Sequence, residues 1–411
     1  MKKKALIVSY FLPYPLISGG HQAVFNSIDV MRQDFDIHLL FNEDKQSKIN
    51  QKTLEELWPE VKFHPYTLPK RNFKNVGDFL IRFAKKVHHL LMSRTKLWGE
   101  FSSCAANHSS DYLDYISSVI TKNDIDIVQT EFIPGLSLVA ALPRSVKTVF
   151  IHHELRFTRH ELIMKEQNLT DSFHKYKYNC LKSEELGFLS LYDAIVTLSE
   201  VDVQKLKKEG IPEQKLYSSL AIVKQKKEIK SPSHFNGSLT FVGPEHHRLN
   251  VIGLEWFLDN CWNTILKNDN KLQLKIIGQW SAKTRKQWCS KYKNIVFLGF
   301  VENLYEALSD SVMVVPITVG SGIRMKIQEA AMMKIPFVTT TVGVEGLPFN
   351  DAEDCFICDD ATDFANKVLM LKDDLALQQQ FTASANDKIK TLFSPDKLRE
   401  SRSIVYNNLG M

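Results

Sequence analysis

The chain has 411 residues, 44% of them hydrophobic and 24% charged, with a formal net charge of +5. That length exceeds one ordinary core and suits two domains of roughly 200 residues each. The composition excludes disordered and fibrous classes, and so small a net charge offers no chain-wide basic surface for nucleic acid.

Lys2, Lys3 and Lys4 precede the run Ala5 to Leu12, which imitates a signal peptide. The run is short, Pro13 and Pro15 end it, and no small-residue cleavage site follows, so a first buried strand is expected. Ser18-Gly19-Gly20 closes the next loop, either as a plain tight turn or as backbone facing a cleft; a helix from about His21 to Arg32 and a strand from Asp36 to Phe41 complete one βαβ unit. Between Pro69 and Trp98 eight Lys and Arg stand against Asp78 alone, a net of +7. Phe79, Leu80, Phe83, Val87, Leu90 and Leu91 recur there at helical spacing, which predicts an amphipathic helix. It suits either the core of the domain or an anionic membrane surface. Further strands are expected at Ile125–Gln129, Thr148–Ile151 and Ala194–Leu198. After the second of these, His152, His153, Glu154 and Arg156 crowd a strand's carboxyl end, where doubly wound sheets bind ligands.

The polar segment 224–237 reads as a linker, and the alternation of strand and helix restarts at Ser238. Strands are expected at Ser238–Gly243, Leu272–Gly278, Ile295–Leu298, Val312–Pro316 and Pro336–Thr340. Residues 238–390 form the second domain, and 391–411 a helix packing back toward the first, which spans 1–223. The class is therefore α/β, with two doubly wound, Rossmann-like domains. After Pro316 come Gly320, Ser321 and Gly322 and a helix expected to start near Ser321 or Gly322. Its N–H groups and dipole suit an anion, and glycine lets backbone approach a phosphate. Arg324 and Lys326 in its first turn oppose the dipole, so they either face an anionic ligand or are solvated. Glu329, about two turns on, offers a carboxylate to hydroxyl groups.

The six cysteines, at 104, 180, 261, 289, 355 and 358, lack framework spacing, which fits a reducing compartment. Cys355 and Cys358 read as buried residues of a short strand, since no second pair accompanies them. Asp34-Phe-Asp36 and Asp124-Ile-Asp126 precede strands, at the wrong end of a parallel sheet for a metal-assisted ligand site. No metal and no other cofactor is expected. No stretch approaches the ~18–20 apolar residues of a membrane-spanning helix. A cytoplasmic protein is expected, with peripheral attachment to the inner face of a membrane as an option.

The run from Gly320 through Ala331, continued by Pro336 to Leu347, resembles the donor-binding signature of retaining glycosyltransferases of family 4 (glycosyl transferases group 1). Leu239–Gly243 with Arg248-Leu-Asn250, Ile276–Gly278, Leu298–Val301 and Asp193–Ser199 resemble its other strand ends. The resemblance is strong from about 239 to 370 and weak before that. It implies a GT-B fold with a central cleft between the domains. It implies transfer from a nucleoside-diphosphate sugar to a glycan or lipid-linked acceptor, with retention, in surface polysaccharide synthesis. Arg324, Lys326 and Arg248 would face the diphosphate, with the amides of Ser321, Gly322 and Ile323 beside diphosphate and sugar. Glu329 would bind the ribose, Phe300 and Val301 the base, Gly19 and Gly20 the phosphates or the acceptor. His152 or His153 would lie beside the transferring sugar. Members commonly carry two glutamates separated by seven residues, and Ser321 stands in the first position. A GT-B nucleotide-sugar epimerase and a non-catalytic scaffold binding nucleotide sugar or glycan are the alternatives.

Overall fold

The computed structural model describes residues 2–68, 103–223 and 229–409, together with Leu80, Phe83, Ala84 and Val87. Most of the basic stretch 69–98 and the start of the 224–237 linker lie outside the described residues. Leu80, Phe83, Ala84 and Val87 are helical and exposed.

The first domain holds a seven-stranded sheet: β1 Lys4–Val8, β2 Asp36–Glu43, β3 Lys62–Thr67, β4 Ile127–Glu131, β5 Lys147–His152, β6 Ala194–Thr197 and β7 Leu216–Ser218. Their order is β3-β2-β1-β4-β5-β6-β7 and every pairing is parallel. The central strands are apolar without alternation because helices cover both faces: Ala5, Leu6, Ile7 and Val8 are all buried. Its helices include α1 Gly19–Met31, α2 Lys45–Leu57, α3 Ser110–Asn123, α4 Arg156–Glu166, α5 Ser172–Leu191 and α6 Glu200–Lys208.

The second domain repeats the plan with β8 Ser238–Val242, β9 Gln273–Ile277, β10 Ile295–Gly299, β11 Val312–Val315, β12 Phe337–Thr339 and β13 Phe356–Ile357. The order is β10-β9-β8-β11-β12-β13, again all parallel. Helices α7 Arg248–Phe257, α8 Ala282–Lys291, α9 Met325–Met332 and α10 Ala361–Asp373 flank it. In both sheets the order reverses direction beside the first strand, β1 and β8, the switch point at which such sheets open a ligand crevice. Cys355 and Cys358 bracket β13 as buried free thiols.

The chain ends in α11 Leu375–Leu392 and α12 Pro395–Asn408. Helix α12 lies against the first domain: Arg399 pairs with Asp34, and Phe35 packs on Tyr406 with ring centroids 4.9 Å apart. One apolar cluster consequently runs from Ile7 and Val24 through Tyr406 and Ile389 to Ile327 and Val315 in the second domain. Burial of that shared surface holds the two switch points face to face.

Candidate active site at the interdomain cleft

The loop after β11 and the loops after β1, β4 and β5 meet across the cleft. Helix α9 begins at Met325, three or four residues later than the start expected near Ser321 or Gly322. Gly320 and Gly322 have φ of +142° and +76°, and Arg324 ends the loop at ψ 89°. None of these is helical, so Ser321, Gly322 and Ile323 form an irregular cradle and not a first turn. Glu329 accordingly sits about one turn into α9.

Gly322 serves close approach of the two domains. A β-carbon there would lie 2.2 Å from the His153 carbonyl oxygen, and its φ is one that side chains rarely adopt. Ser321 is buried and also engaged across the cleft: its Oγ accepts from the Leu155 N–H at 3.1 Å and donates to Asp202 Oδ1 at 3.4 Å. Burial pushes the Asp202 carboxyl up from its ordinary range. Nearby, Lys205 pairs with Glu345 of the second domain. The serine hydroxyl thus belongs to the domain contact.

Arg324 turns back on its own loop. Its Nη1 donates to the carbonyls of Ser321 at 2.5 Å and Gly322 at 2.6 Å. Its Nε and Nη2 are shielded from solvent and have no hydrogen-bond partner. Lys326 Nζ donates to Asn250 Oδ1 at 2.7 Å and stands 4.9 Å from the Phe241 ring centroid. Burial, and then the neighbouring Arg324 charge, pull the Lys326 ammonium down to about 7. Two desolvated cations thus stand side by side, one with two unused donors, while the carboxylates of Glu154, Glu345 and Asp202 act on Arg324 and that of Glu329 on Lys326.

Glu329 Oε1 accepts from Gln22 Nε2 at 2.6 Å, from one turn into α1. Gly19 and Gly20 are the first two residues of α1, not a loop before it; Ser18 caps the helix and accepts from the His21 N–H at 3.3 Å. The absence of a side chain at Gly19 admits Met325, whose Cγ would lie 2.7 Å from a β-carbon there. Arg248 opens α7 and is exposed. Phe300 is exposed and Val301 half-buried just beyond β10. A cavity lies beside them at the carboxyl ends of β8, β9 and β10, lined by Glu245, His246, Trp280, Arg285 and Gly299 among others.

The two histidines part company. His152, the last residue of β5, points into the first domain, buried, with Nε2 2.9 Å from Glu185 Oε1. Glu185 also accepts from the Arg156 and Phe157 amides at 2.9 Å each, so this group ties the start of α4 to α5. His153 lies at the cleft, half-buried, with Nε2 2.6 Å from Glu131 Oε2. Its ring stacks on Phe132 at 3.9 Å and 15°. Phe132 holds φ +62°, a conformation uncommon for a bulky residue and frequent at functional sites. Gln22, Glu131, Phe132 and Asp202 escaped the sequence reading because no local spacing ties them to the residues they touch.

Residues 236–374 match the family model described as glycosyl transferases group 1. A curated relative from Klebsiella pneumoniae, described as an uncharacterized 44.6 kDa protein in the cps region, is 21% identical over 97% of this chain and 98% of its own. Among solved structures, TarM superposes with a TM-score of 0.69 at 13% identity, covering 99% of each chain. A point mutant of S. aureus TarM has been solved with fondaparinux, alpha-GlcNAc-glycerol and UDP. HepE of Anabaena, solved with UDP-glucose, superposes with a TM-score of 0.66 at 10% identity over 98% of this chain and 99% of its own. The architecture is the GT-B fold, two Rossmann-like domains around a cleft.

Proposed function

We propose that the chain is a glycosyltransferase moving a sugar from a nucleoside-diphosphate sugar to a glycan or lipid-linked acceptor. The observation that carries this reading is the cation pair at the carboxyl end of β11. Arg324 has two buried donors without partners, and Lys326 is a desolvated ammonium beside it. A diphosphate would accept from the two unused donors and favour the charged form of the ammonium. As the bond to the anomeric carbon breaks, negative charge grows on the leaving diphosphate, and cations already fixed in a dry site oppose it without reorganising. This chemistry needs no metal ion. The match over 236–374, and relatives of the same fold solved with UDP and UDP-glucose, support the same assignment.

In this reading Glu329 holds the ribose, and the nucleotide base enters the cavity beside Phe300 and Val301. His153, not His152, stands near the transferring sugar, since His152 is enclosed in its own domain. The acceptor hydroxyl attacks from the leaving-group side, a phosphate oxygen takes its proton, and configuration is retained. Contact of the two domains at Gly322 and Ser321 excludes water from the reacting centre. Surface polysaccharide synthesis is the setting we infer, in keeping with the relative from a cps region. The basic stretch 69–98, with Leu80, Phe83 and Val87 exposed, fits attachment to an anionic membrane, which flotation with phosphatidylglycerol vesicles tests.

A thermal-shift screen of UDP, GDP, ADP, dTDP and CMP, with and without EDTA, tests the donor site. One nucleoside diphosphate should stabilise the protein regardless of EDTA, and Arg324→Ala and Glu329→Ala should both lose the effect. Stabilisation by none of them would overturn the donor reading. Product analysis with the sugar of the base so identified separates transfer from epimerisation.

A further inference from the structure

The last helix of the chain reaches the cleft through a line of buried polar groups. Arg402 and Tyr406, four residues apart on α12, share one face of that helix, and both are buried. The Tyr406 hydroxyl donates to Gln129 Oε1, across 277 residues of sequence. Gln129 Nε2 in turn donates to Glu131 Oε1 at 2.5 Å. Gln129 and Glu131 are two apart on β4 and therefore point to the same side of the sheet, the side on which α12 packs. The other oxygen of Glu131 lies 2.6 Å from His153 Nε2.

The donors and acceptors in this line admit one direction. A carboxylate accepts only, so Gln129 must turn its NH₂ to Glu131 and its oxygen to Tyr406. By the same rule Nε2 of His153 carries a proton. In its neutral form the ring keeps Nδ1 as its acceptor, and the Phe132 ring stacked on it at 3.9 Å restricts its rotation. Glu131 is almost fully buried, a costly place for a carboxylate unless it is hydrogen-bonded and balanced. The Arg402 guanidinium, buried on α12, lies within the field of Glu131 and Tyr406 without an ion pair to Glu131, and its Nε and Nη1 have no hydrogen-bond partner.

We propose that Tyr406, Gln129 and Glu131 are positioning residues for His153. The C-terminal helix fixes the proton on Nε2 and leaves Nδ1 to accept a hydrogen bond from a hydroxyl group in the cleft. The proposal rests on the reading that His153 faces the transferring sugar. It makes the C-terminal helix part of the reaction centre and not only a brace between domains. A structural brace would be expected to use apolar contacts and surface pairs, as α12 does at Phe35 and Asp34; a directed line of buried hydrogen bonds ending on a cleft imidazole is a different device.

The test uses the full chain with ¹⁵N-labelled histidine, comparing wild type, Glu131→Gln and Tyr406→Phe, with His153→Asn to assign the ring signals. His153 should show a single Nε2–H tautomer in the wild type. It should lose that preference in Glu131→Gln, and its ring shifts should move in Tyr406→Phe, which removes one oxygen three links away. A His153 signal unchanged in both variants, or an Nδ1–H tautomer in the wild type, overturns the proposal. If Glu131→Gln fails to fold, Tyr406→Phe still decides. Turnover of UDP-glucose as probe donor should fall about tenfold in both variants, while UDP affinity stays within about twofold. Should UDP and the other nucleotides fail to bind the wild type, the donor reading fails, while the ring spectra still judge the proton line.

Discussion

The two walls of the cleft are assembled in opposite ways. On the second domain, one short run from Gly320 to Glu329 supplies the cradle, the cations and the carboxylate. On the first, the surroundings of His153 come from Glu131, Phe132 and, through Gln129, Tyr406. A contiguous wall depends on local backbone and charge, and single substitutions should remove a binding function outright. A wall gathered from distant strands and a terminal helix should instead lose rate or geometry while binding persists.

Arg324→Ala offers the strongest test of the contiguous wall. It deletes the two buried donors that have no other partner, and loss of one such preorganised group costs on the order of 10²–10³ in turnover. We expect a fall of about that size in sugar transfer, with nucleotide stabilisation lost in the same variant. Retained nucleotide binding would mean that the guanidinium serves only to hold its own loop.

Gly322→Ala strikes where the walls touch. Its β-carbon would collide with the His153 carbonyl, so the domains should be held apart by an ångström or so. A displacement of that size costs about a hundredfold in rate. Nucleotide affinity should stay within a few-fold, because Arg324 and Lys326 remain. Equal loss of binding and rate would show that the cradle, and not the domain contact, needs the glycine.

The pH response should be smaller, and it isolates Lys326. Its ammonium sits near 7 in the free protein and must be charged to attract a diphosphate. Affinity should therefore hold below about pH 7 and weaken above it by up to about tenfold per pH unit, until the bound-state value is reached. Calorimetry near pH 8 in buffers of different ionisation enthalpy should show proton uptake on binding, absent in Lys326→Met. The ligand-free protein carries the reverse signature. The unfolded lysine titrates near ~10.4, so between about 7 and 10 the unfolded chain binds more protons and stability rises with pH. Lys326→Met should raise the melting temperature more at pH 6 than at pH 9.

This contrast also explains which parts of the molecule are legible in its amino-acid sequence. Strands such as Ala5–Val8 and Val312–Val315 are continuous apolar runs, and two successive parallel domains follow from their spacing. Lys62–Thr67 went unread as a strand because Pro65 interrupts it, which an edge position tolerates. Strand β7 is only three residues long. Arg324, Lys326 and Glu329 were legible because the wall they build is local. The late start of α9 was not, since Gly320 and Gly322 at positive φ keep the loop irregular where a first helical turn was expected. Nor does any pattern say which of two adjacent histidines faces the cleft. His152 ends β5 pointing inward to Glu185, and the chain turns before His153.

Ser321 gives the smallest and most discriminating change. The signature that this run resembles carries an acidic residue at this position, and the surroundings of Ser321 show what the serine does instead. The Leu155 N–H has Ser321 Oγ as its acceptor, and Asp202, already driven toward its neutral form by burial, lies 3.4 Å away. Ser321→Ala should cost about 1 kcal/mol through the lost hydrogen bonds, reducing turnover about fivefold and melting temperature by a few degrees. Ser321→Glu should do more harm than Ser321→Ala, because it brings a second carboxylate beside Asp202 in a desolvated contact, where like charges cannot both ionise. Asp202→Asn should relieve much of that penalty in the double variant. A gain of activity in Ser321→Glu alone would instead show that the donor sugar claims this position and that the domain contact yields to it.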